Sequence, residues 1–266
     1  LDALSGLGYA HMTAVQAQSI PPILQRQDVI IQAKTGSGKT AAFAIGLLHH
    51  LNPRFFGVQA VVMCPTRELA EQVGQSVRQL ASRMSNVKVV MLCGGKPFGA
   101  QRDSLQHGAH IVVGTPGRIQ DHLQRGTLEL KGVTTFVLDE ADRMLDMGFA
   151  DVMAEITAKL PGNRQTLLLS ATFPDDIKKI SRSIQKNPIQ ITVDAEVVHD
   201  EVVLEQVFFE VQKHERNVAL LALFEHYRPA NAMVFCNTKK QCAEVARFLR
   251  EHDIEAAAIH GDLEQR

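Results

Sequence analysis

Residues 28–51 read DVIIQAKTGSGKTAAFAIGLLHHL: a short apolar run, a glycine-rich turn, then a long apolar-patterned segment. The pattern predicts a strand, a phosphate loop and a helix. Val29, Ile30 and Ile31 form a β-branched run of the kind that suits a fully buried parallel strand. Without side chains, Gly36 and Gly38 let successive backbone N–H groups converge on an anion, and a helix starting near Lys39 adds its positive N-terminal end. Lys39 would then reach the β- and γ-phosphates of a nucleotide as a point charge. The Thr40 hydroxyl would ligate the Mg²⁺ that bridges the same oxygens. The candidate nucleotide-binding set in this loop is Thr35, Gly36, Ser37, Gly38, Lys39 and Thr40. GxxxxGK[ST] is met except at its first position, where Ala33 stands. An ordinary Gly/Ser turn before a helix would also contain Gly-Lys-Thr, but the strand before it and the helix after it argue for the phosphate loop.

Length and composition limit what the loop can serve. The 266 residues exceed one average domain, so one large or two smaller α/β domains are expected. An apolar fraction of 45% with 21% charged residues is that of a globular protein, and no apolar run approaches membrane-spanning length. No membrane partner and a cytoplasmic location are therefore expected. The opening LDALSGLGYAHM lacks a basic segment followed by a hydrophobic one, and also an initiator Met, so a trimmed chain is expected. Cys64, Cys93, Cys236 and Cys242 are scattered without CxxC spacing, which disfavours a zinc site and a disulfide framework alike. With 28 basic and 29 acidic residues the net charge is −1, so any nucleic-acid site must be local.

Short apolar runs alternate with amphipathic stretches at intervals suited to repeated β-α units, which predicts a doubly wound parallel sheet. Strands are expected at 60–64, 87–93, 111–113, 136–138 and 166–169, with a helix over 68–84 that places Leu69, Val73, Val77, Leu80 and Met84 on one face. Each strand runs directly into a polar cluster. Ligands of open α/β sheets bind beyond the carboxyl ends of the strands, so Thr66-Arg67, Thr115 to Arg118, Asp139-Glu140 and Ser170 to Thr172 should crowd one edge with Lys39. Asp139 and Glu140 end an apolar strand in the manner of a Walker B pair. Asp139 would hold Mg²⁺, largely through water, and Glu140 would orient the attacking water. A solvated acidic loop is the plainer alternative. Asp142 either couples the nucleotide to the next motif or caps the helix that follows.

AKTGSGKT (33–40), PTRELA (65–70), Gly94-Gly95, TPGR (115–118), DEAD (139–142), SAT (170–172) and FCNTK (235–239) occur in the order and approximate spacing of the DEAD-box ATP-dependent RNA helicases. The chain resembles that family over nearly its whole length. CGGKPFGAQRDSLQHG (93–108), DEADRMLDMGF (139–149) and HGDLEQR (260–266) look most like its DbpA-type bacterial branch, whose full-length members carry a further domain that recognises a hairpin of large-subunit ribosomal RNA. The resemblance implies a RecA-like parallel sheet flanked by helices, followed by the first part of a second RecA-like domain. ATP and Mg²⁺ are the implied cofactors, and RNA, as a single strand or short duplex, is the implied partner. Gln16 falls on the family's Q motif, which hydrogen-bonds the adenine edge, with Met12 where a proline is common. Thr66, Arg67, Gly94, Gly95, Thr115, Arg118 and Gln265 fall on motifs that grip RNA phosphates and sugars. Arg charge, Thr hydroxyls and glycine backbone N–H groups suit that task without reading bases. Arg67 and Arg118 could equally form structural ion pairs. Asp142, Ser170 and Thr172 resemble the motifs that couple hydrolysis to strand separation.

Beyond residue 192 the character changes. The acidic stretch 194–203 (DAEVVHDEVV) reads as a linker between a first domain, 1–193, and the N-terminal part of a second, 204–266. In the second, strands are expected at 207–211, 232–236 and 256–259 and helices at 215–227 and 239–252. The family's late motifs, including an arginine-bearing one that completes the ATP site, are not among these residues. The resemblance thus implies RNA-stimulated ATP hydrolysis coupled to local unwinding for a full-length protein, which would be a monomer. The 266-residue chain is expected to bind nucleotide, to hydrolyse it poorly, and to be prone to self-association through unpaired strand edges. An ATP-latched RNA clamp without productive unwinding is the alternative reading. A phosphotransferase would need an acceptor pocket that nothing here supplies, and the sequence separates a DNA motor poorly from an RNA one.

Overall fold

The computed structural model describes residues 6–193 and 205–263. Cα proximity divides the chain into two compact units, Leu1–His199 and Asp200–Arg266. In the first, seven strands form a single sheet: β1 (Val29–Gln32), β2 (Ala60–Met63), β3 (Val89–Leu92), β4 (Ile111–Gly114), β5 (Thr135–Leu138), β6 (Gln165–Ser170) and β7 (Ile189–Thr192). Their spatial order is β3-β4-β2-β5-β6-β1-β7, and every pairing is parallel. A parallel sheet needs a crossover between successive strands, and the helices supply it.

Two apolar cores form because alternate residues of each strand face opposite sides. On one side Val29, Ile31, Val62, Val113, Val137, Leu167 and Leu169 pack with α1 (Ala14–Leu24), α2 (Lys39–His50) and α3 (Arg67–Leu80), through side chains such as Ile23, Phe43, Leu47, Val73 and Val77. On the other side Val61, Met63, Val112, Phe136, Leu138 and Leu168 meet Ile119, Met144, Ile156 and Ile177. Those four belong to α5 (Pro116–Gln124), α6 (Ala141–Asp146), α7 (Ala150–Ala158) and α8 (Asp175–Ile184). The helix α4 (Phe98–Gln106) lies between β3 and β4 in sequence and adds Leu105 to the second core. β2, β4, β5 and β6 are buried along their whole length, which is why they read as continuous apolar runs. These four strands, β1 and β3 stand within two residues of where the sequence places them. β7 is an addition: three of its four residues are exposed and only Ile191 is buried, so an edge strand left no apolar run to read.

In the second unit, α9 (Arg216–Tyr227) and α10 (Lys239–Glu251) are formed as expected, α10 capped by the Thr238 hydroxyl accepting from the Gln241 N–H. The strands expected at 207–211, 232–236 and 256–259 are not formed, and no strand occurs among the unit's described residues. A strand is defined by its ladder, and these apolar segments hydrogen-bond to no neighbouring strand; Phe208, Phe235 and Ile259 are 91%, 88% and 84% exposed. The linker expected at 194–203 lies outside the described residues.

Close packing at the edge of β4 can be tested. A Cβ placed on Gly114 would sit 2.3 Å from the Leu92 carbonyl oxygen, an oxygen that accepts from the Thr115 N–H at 3.0 Å. Gly114→Ala must push two backbones apart, so it should destabilise the first unit by about 1–3 kcal/mol in urea unfolding. An unchanged midpoint would show that β3 and β4 are less tightly held than their packing indicates.

Candidate functional site

Because all seven strands run the same way, the segments that follow them emerge at one edge, and sheet order sorts them. Gly94-Gly95 follows β3, Thr115 to Arg118 follows β4 and Thr66-Arg67 follows β2; Asp139-Glu140 follows β5, Ser170 to Thr172 ends β6, and the glycine-rich loop follows β1. Ladder-like bonds run on past the strands and tie these segments together. Cys64 N–H donates to the Gly114 carbonyl at 2.9 Å, Asp139 N–H to Met63 at 2.9 Å, and Ala33 N–H to Ser170 at 3.2 Å.

The loop turns through Gly36 (φ +83°) and Gly38 (φ +93°), left-handed positions that glycine adopts without steric cost. α2 starts at Lys39. Lys39 is buried, and its Nζ donates to the carbonyls of Ala33 and, at 2.8 Å, Lys34. Burial lowers its pKa, opposed by the nearby carboxylates of Asp139, Glu140 and Asp142. Ser37 Oγ is shielded from solvent and has no hydrogen-bond partner, an orphan polar atom that suits a bound phosphate oxygen. Gln16 does not face solvent. It is 4% exposed, its Nε2 donates to the Gly38 carbonyl at 3.3 Å, and its Oε1 accepts from the Thr13 N–H at 2.9 Å. Thr13 in turn donates from Oγ1 to the Ser37 carbonyl at 2.8 Å while its hydroxyl oxygen accepts from the Gln16 N–H at 3.3 Å. The start of α1 is therefore a capping box that also braces the loop. Thr13 is a site residue that the sequence reading passed over, although Thr-x-x-Gln before an apolar stretch is the capping-box signature.

Asp139 is buried, and that burial raises its carboxyl to about 6; Lys39 works against the shift, and Glu140 adds to it. Glu140 takes a left-handed conformation (φ +52°, ψ +53°) as the N-cap of α6, and its Oε2 accepts from Arg143 Nη1 at 3.2 Å. Asp142 reaches β6: its Oδ2 accepts from Thr172 N–H at 2.9 Å and Oγ1 at 2.8 Å, and its own N–H lies 3.4 Å from Ser170 Oγ. Burial pushes the Asp142 carboxyl up, but the bonds from Thr172, Ser170 and the Arg143 N–H outweigh it and hold it below its usual value. No cluster of three or more His, Cys, Asp or Glu side chains suited to a metal ion exists among the described residues. Mg²⁺ fits such a site nonetheless, since it is typically held by one or two protein groups together with phosphates and water. Thr40 and Asp139 are the two that the chain offers.

The remaining residues gather on the β3–β4–β2 half. Thr66 caps α3, its hydroxyl accepting from the Leu69 N–H at 3.2 Å. Arg67 lies against the Gly94-Gly95 turn so closely that a Cβ on Gly95 would stand 2.3 Å from its Nη1. Thr115 precedes α5, and Arg118 Nη1 donates to Gln101 Oε1 at 3.3 Å. Gln265 lies outside the described residues.

A glycine-rich loop opening a helix, an Asp-Glu pair closing an apolar strand and Asp142 bonded to Thr172, all on the carboxyl edge of a parallel sheet, are the arrangement of a P-loop nucleotide-binding α/β protein. Residues 13–180 match the DEAD/DEAH box helicase family, and the chain belongs to that family. It is 50% identical over its full 266 residues to the ATP-dependent RNA helicase DbpA of Escherichia coli K12, covering 58% of that protein. It is 41% identical to the DEAD-box ATP-dependent RNA helicase CshA of Geobacillus kaustophilus, covering 56% of it. The crystal structure of a DEAD box protein from the hyperthermophile Methanococcus jannaschii superposes with a TM-score of 0.70 at 38% identity, over 99% of this chain and 70% of that one. The RecA-like expectation is thereby met, and the chain spans 58% and 56% of the length of these two curated relatives.

The raised Asp139 carboxyl sets a sign for stability against pH. Its folded value of about 6 lies above the ordinary 3.8, so its favourable contribution is complete below about 3.8 and is lost as pH rises through about 6. Asp139→Asn should leave stability unchanged near pH 4 and raise it by roughly 1–3 kcal/mol at pH 8. A gain of equal size at both pH values would remove burial of the charge as the cause.

Proposed function

We propose that the protein is an ATP-dependent RNA helicase, with RNA-stimulated ATP hydrolysis coupled to local unwinding of short RNA duplexes during remodelling of ribosomal RNA or assembly of the large subunit. The observation that carries this reading is the buried Lys39 at the head of α2 beside the buried Asp139, with Asp142 tied to Thr172 one strand away. In this reading residues 1–193 bind the nucleotide, 194–203 link, and 204–266 belong to a second RecA-like domain. Lys39 and the loop N–H groups of Thr35 to Thr40 hold the phosphates, Gln16 selects adenine, and Thr40 with Asp139 positions Mg²⁺. That ion, when bound, offsets the negative charge on the β- and γ-oxygens. Glu140, at the mouth of the site, orients a water toward the γ-phosphorus; ADP departs as the leaving group. Asp142, Ser170 and Thr172 relay the presence of the γ-phosphate to Thr66, Arg67, Gly94, Gly95, Thr115 and Arg118, which with Gln265 hold an RNA backbone without reading its bases.

Hydrolysis and unwinding are proposed of the whole protein, and two preparations test them. The 266-residue chain should bind ADP in calorimetry. The full-length protein should hydrolyse ATP only with RNA present, and Glu140→Gln should cut that rate by about 10²–10⁴-fold while leaving nucleotide affinity intact. Hydrolysis indifferent to RNA would point to another P-loop phosphohydrolase, and an active Glu140→Gln variant would remove Glu140 from the chemistry.

A further inference from the structure

The turn at Gly94-Gly95 and the guanidinium of Arg118 follow different strands, yet one side chain joins them. Gln101, on α4, is only 5% exposed. Its Nε2 donates at 2.7 Å to the carbonyl of Cys93, the residue before the glycine pair. Its Oε1 accepts from Arg118 Nη1 at 3.3 Å and lies 3.1 Å from His122 Nε2. Both acceptor sites of the amide oxygen are used, and the amide cannot be turned over without setting its N–H₂ against the guanidinium. His122 is fully buried and held below its ordinary pKa, at about 4, first by burial and then by the Arg118 charge, so it is neutral and donates from Nε2. Its Nδ1 lies 2.8 Å from Thr127 Oγ1, and Phe98 stacks on its ring at 4.1 Å and 14°. The Arg118 guanidinium also lies over Phe98, 5.8 Å from the ring centroid.

Arg118 is therefore held by a neutral amide and an aromatic ring. It forms no ion pair with a carboxylate among the described residues: Asp121, three residues on, pairs with Arg125, and Asp103, two residues from Gln101, pairs with Arg102. A carboxylate at position 101 would hold the guanidinium as firmly but would cancel its charge. Resting on the RNA reading above, we infer that Gln101 is a positioning residue for RNA: it fixes Arg118 and the Gly94-Gly95 turn in one register while leaving the Arg118 charge free for a backbone phosphate. This explains an otherwise unneeded feature, a buried amide bonded through both its oxygen and its nitrogen on a helix whose neighbours Arg102 and Asp103 are solvated.

The test is binding of a fluorescent oligouridylate of about ten nucleotides to the 266-residue chain between about 50 and 200 mM salt. Gln101→Met, near-isosteric and unable to hydrogen-bond, should weaken RNA binding about tenfold and flatten the salt slope by about 0.7, as Arg118→Ala should. The double variant should lose less than the product of the two single losses, because Gln101 acts in part through the Arg118 phosphate contact. ADP affinity should not move. If Gln101→Met fails to fold, Gln101→Glu carries the test, since pairing with Arg118 should flatten the salt slope in the same way. Wild-type RNA binding by either folded Gln101 variant while Arg118→Ala is impaired overturns this inference alone, as does multiplication of the two losses in the double variant. Undiminished binding by Arg118→Ala overturns the RNA reading of this face as well.

Discussion

Everything at the carboxyl edge depends on keeping the ammonium of Lys39 charged while it is buried. An isolated ammonium removed from water is costly enough that it would give up its proton. Here the two loop carbonyls of Ala33 and Lys34 take its hydrogens, and the negative field of Asp139, Glu140 and Asp142 favours the charged form. Burial still lowers its pKa, so it is a donor with less hydration to shed when a phosphate arrives. Asp139 meets the reciprocal cost, its carboxyl raised by the same burial and lowered again by Lys39. Each charge eases the burial of the other without fully offsetting it, and the two are brought together by the end of β5 and the loop that follows β1.

Those strands explain why the carboxyl edge has two halves. The order β3-β4-β2-β5-β6-β1-β7 gathers the segments after β5, β6 and β1 on one half of the edge and those after β3, β4 and β2 on the other. The halves meet at the β2–β5 pair, where the Asp139 N–H bonds to the Met63 carbonyl. A shift of the acidic turn would therefore be felt at the root of the Thr66-Arg67 turn through the backbone. Arg67 then touches Gly94-Gly95, and Cys93 is bonded to Gln101, which holds Arg118. The contacts form a contiguous chain between the two halves; such continuity is a physical route for coupling, while its energy is a separate quantity.

The glycine-rich loop, the acidic pair and the buried strands were legible in the sequence because each leaves a local mark: glycines where φ is positive, carboxylates closing an apolar run, β-branched runs where both faces are covered. β7 left none, being an edge strand with only Ile191 buried. The apolar runs of the second unit, such as VFFEV (207–211) and AMVFC (232–236), carry strand composition, but composition supplies only one side of a ladder. Gln101 had no signal at all, since an amide in a polar helix looks the same whether solvated or buried between two motifs. Gln16 was identified through resemblance and Thr13 was not, although the structure shows the two acting together on the loop carbonyls of Gly38 and Ser37.

Asp139 and Glu140 are neighbours of the same chemistry held in different environments. Asp139 ends a strand and is 4% exposed. The next residue must both leave the strand and open α6, and Glu140 does so in a left-handed conformation that costs a non-glycine residue on the order of 1 kcal/mol or more. That single reversal turns the second carboxylate out of the sheet interior, where its side chain is 15% exposed and meets the Arg143 guanidinium. A strand continued through Glu140 would have sent the two side chains to opposite faces of the sheet. The strained turn keeps one carboxylate in the interior beside Lys39 and the other at its mouth, the separation that the proposed metal-holding and water-orienting roles call for.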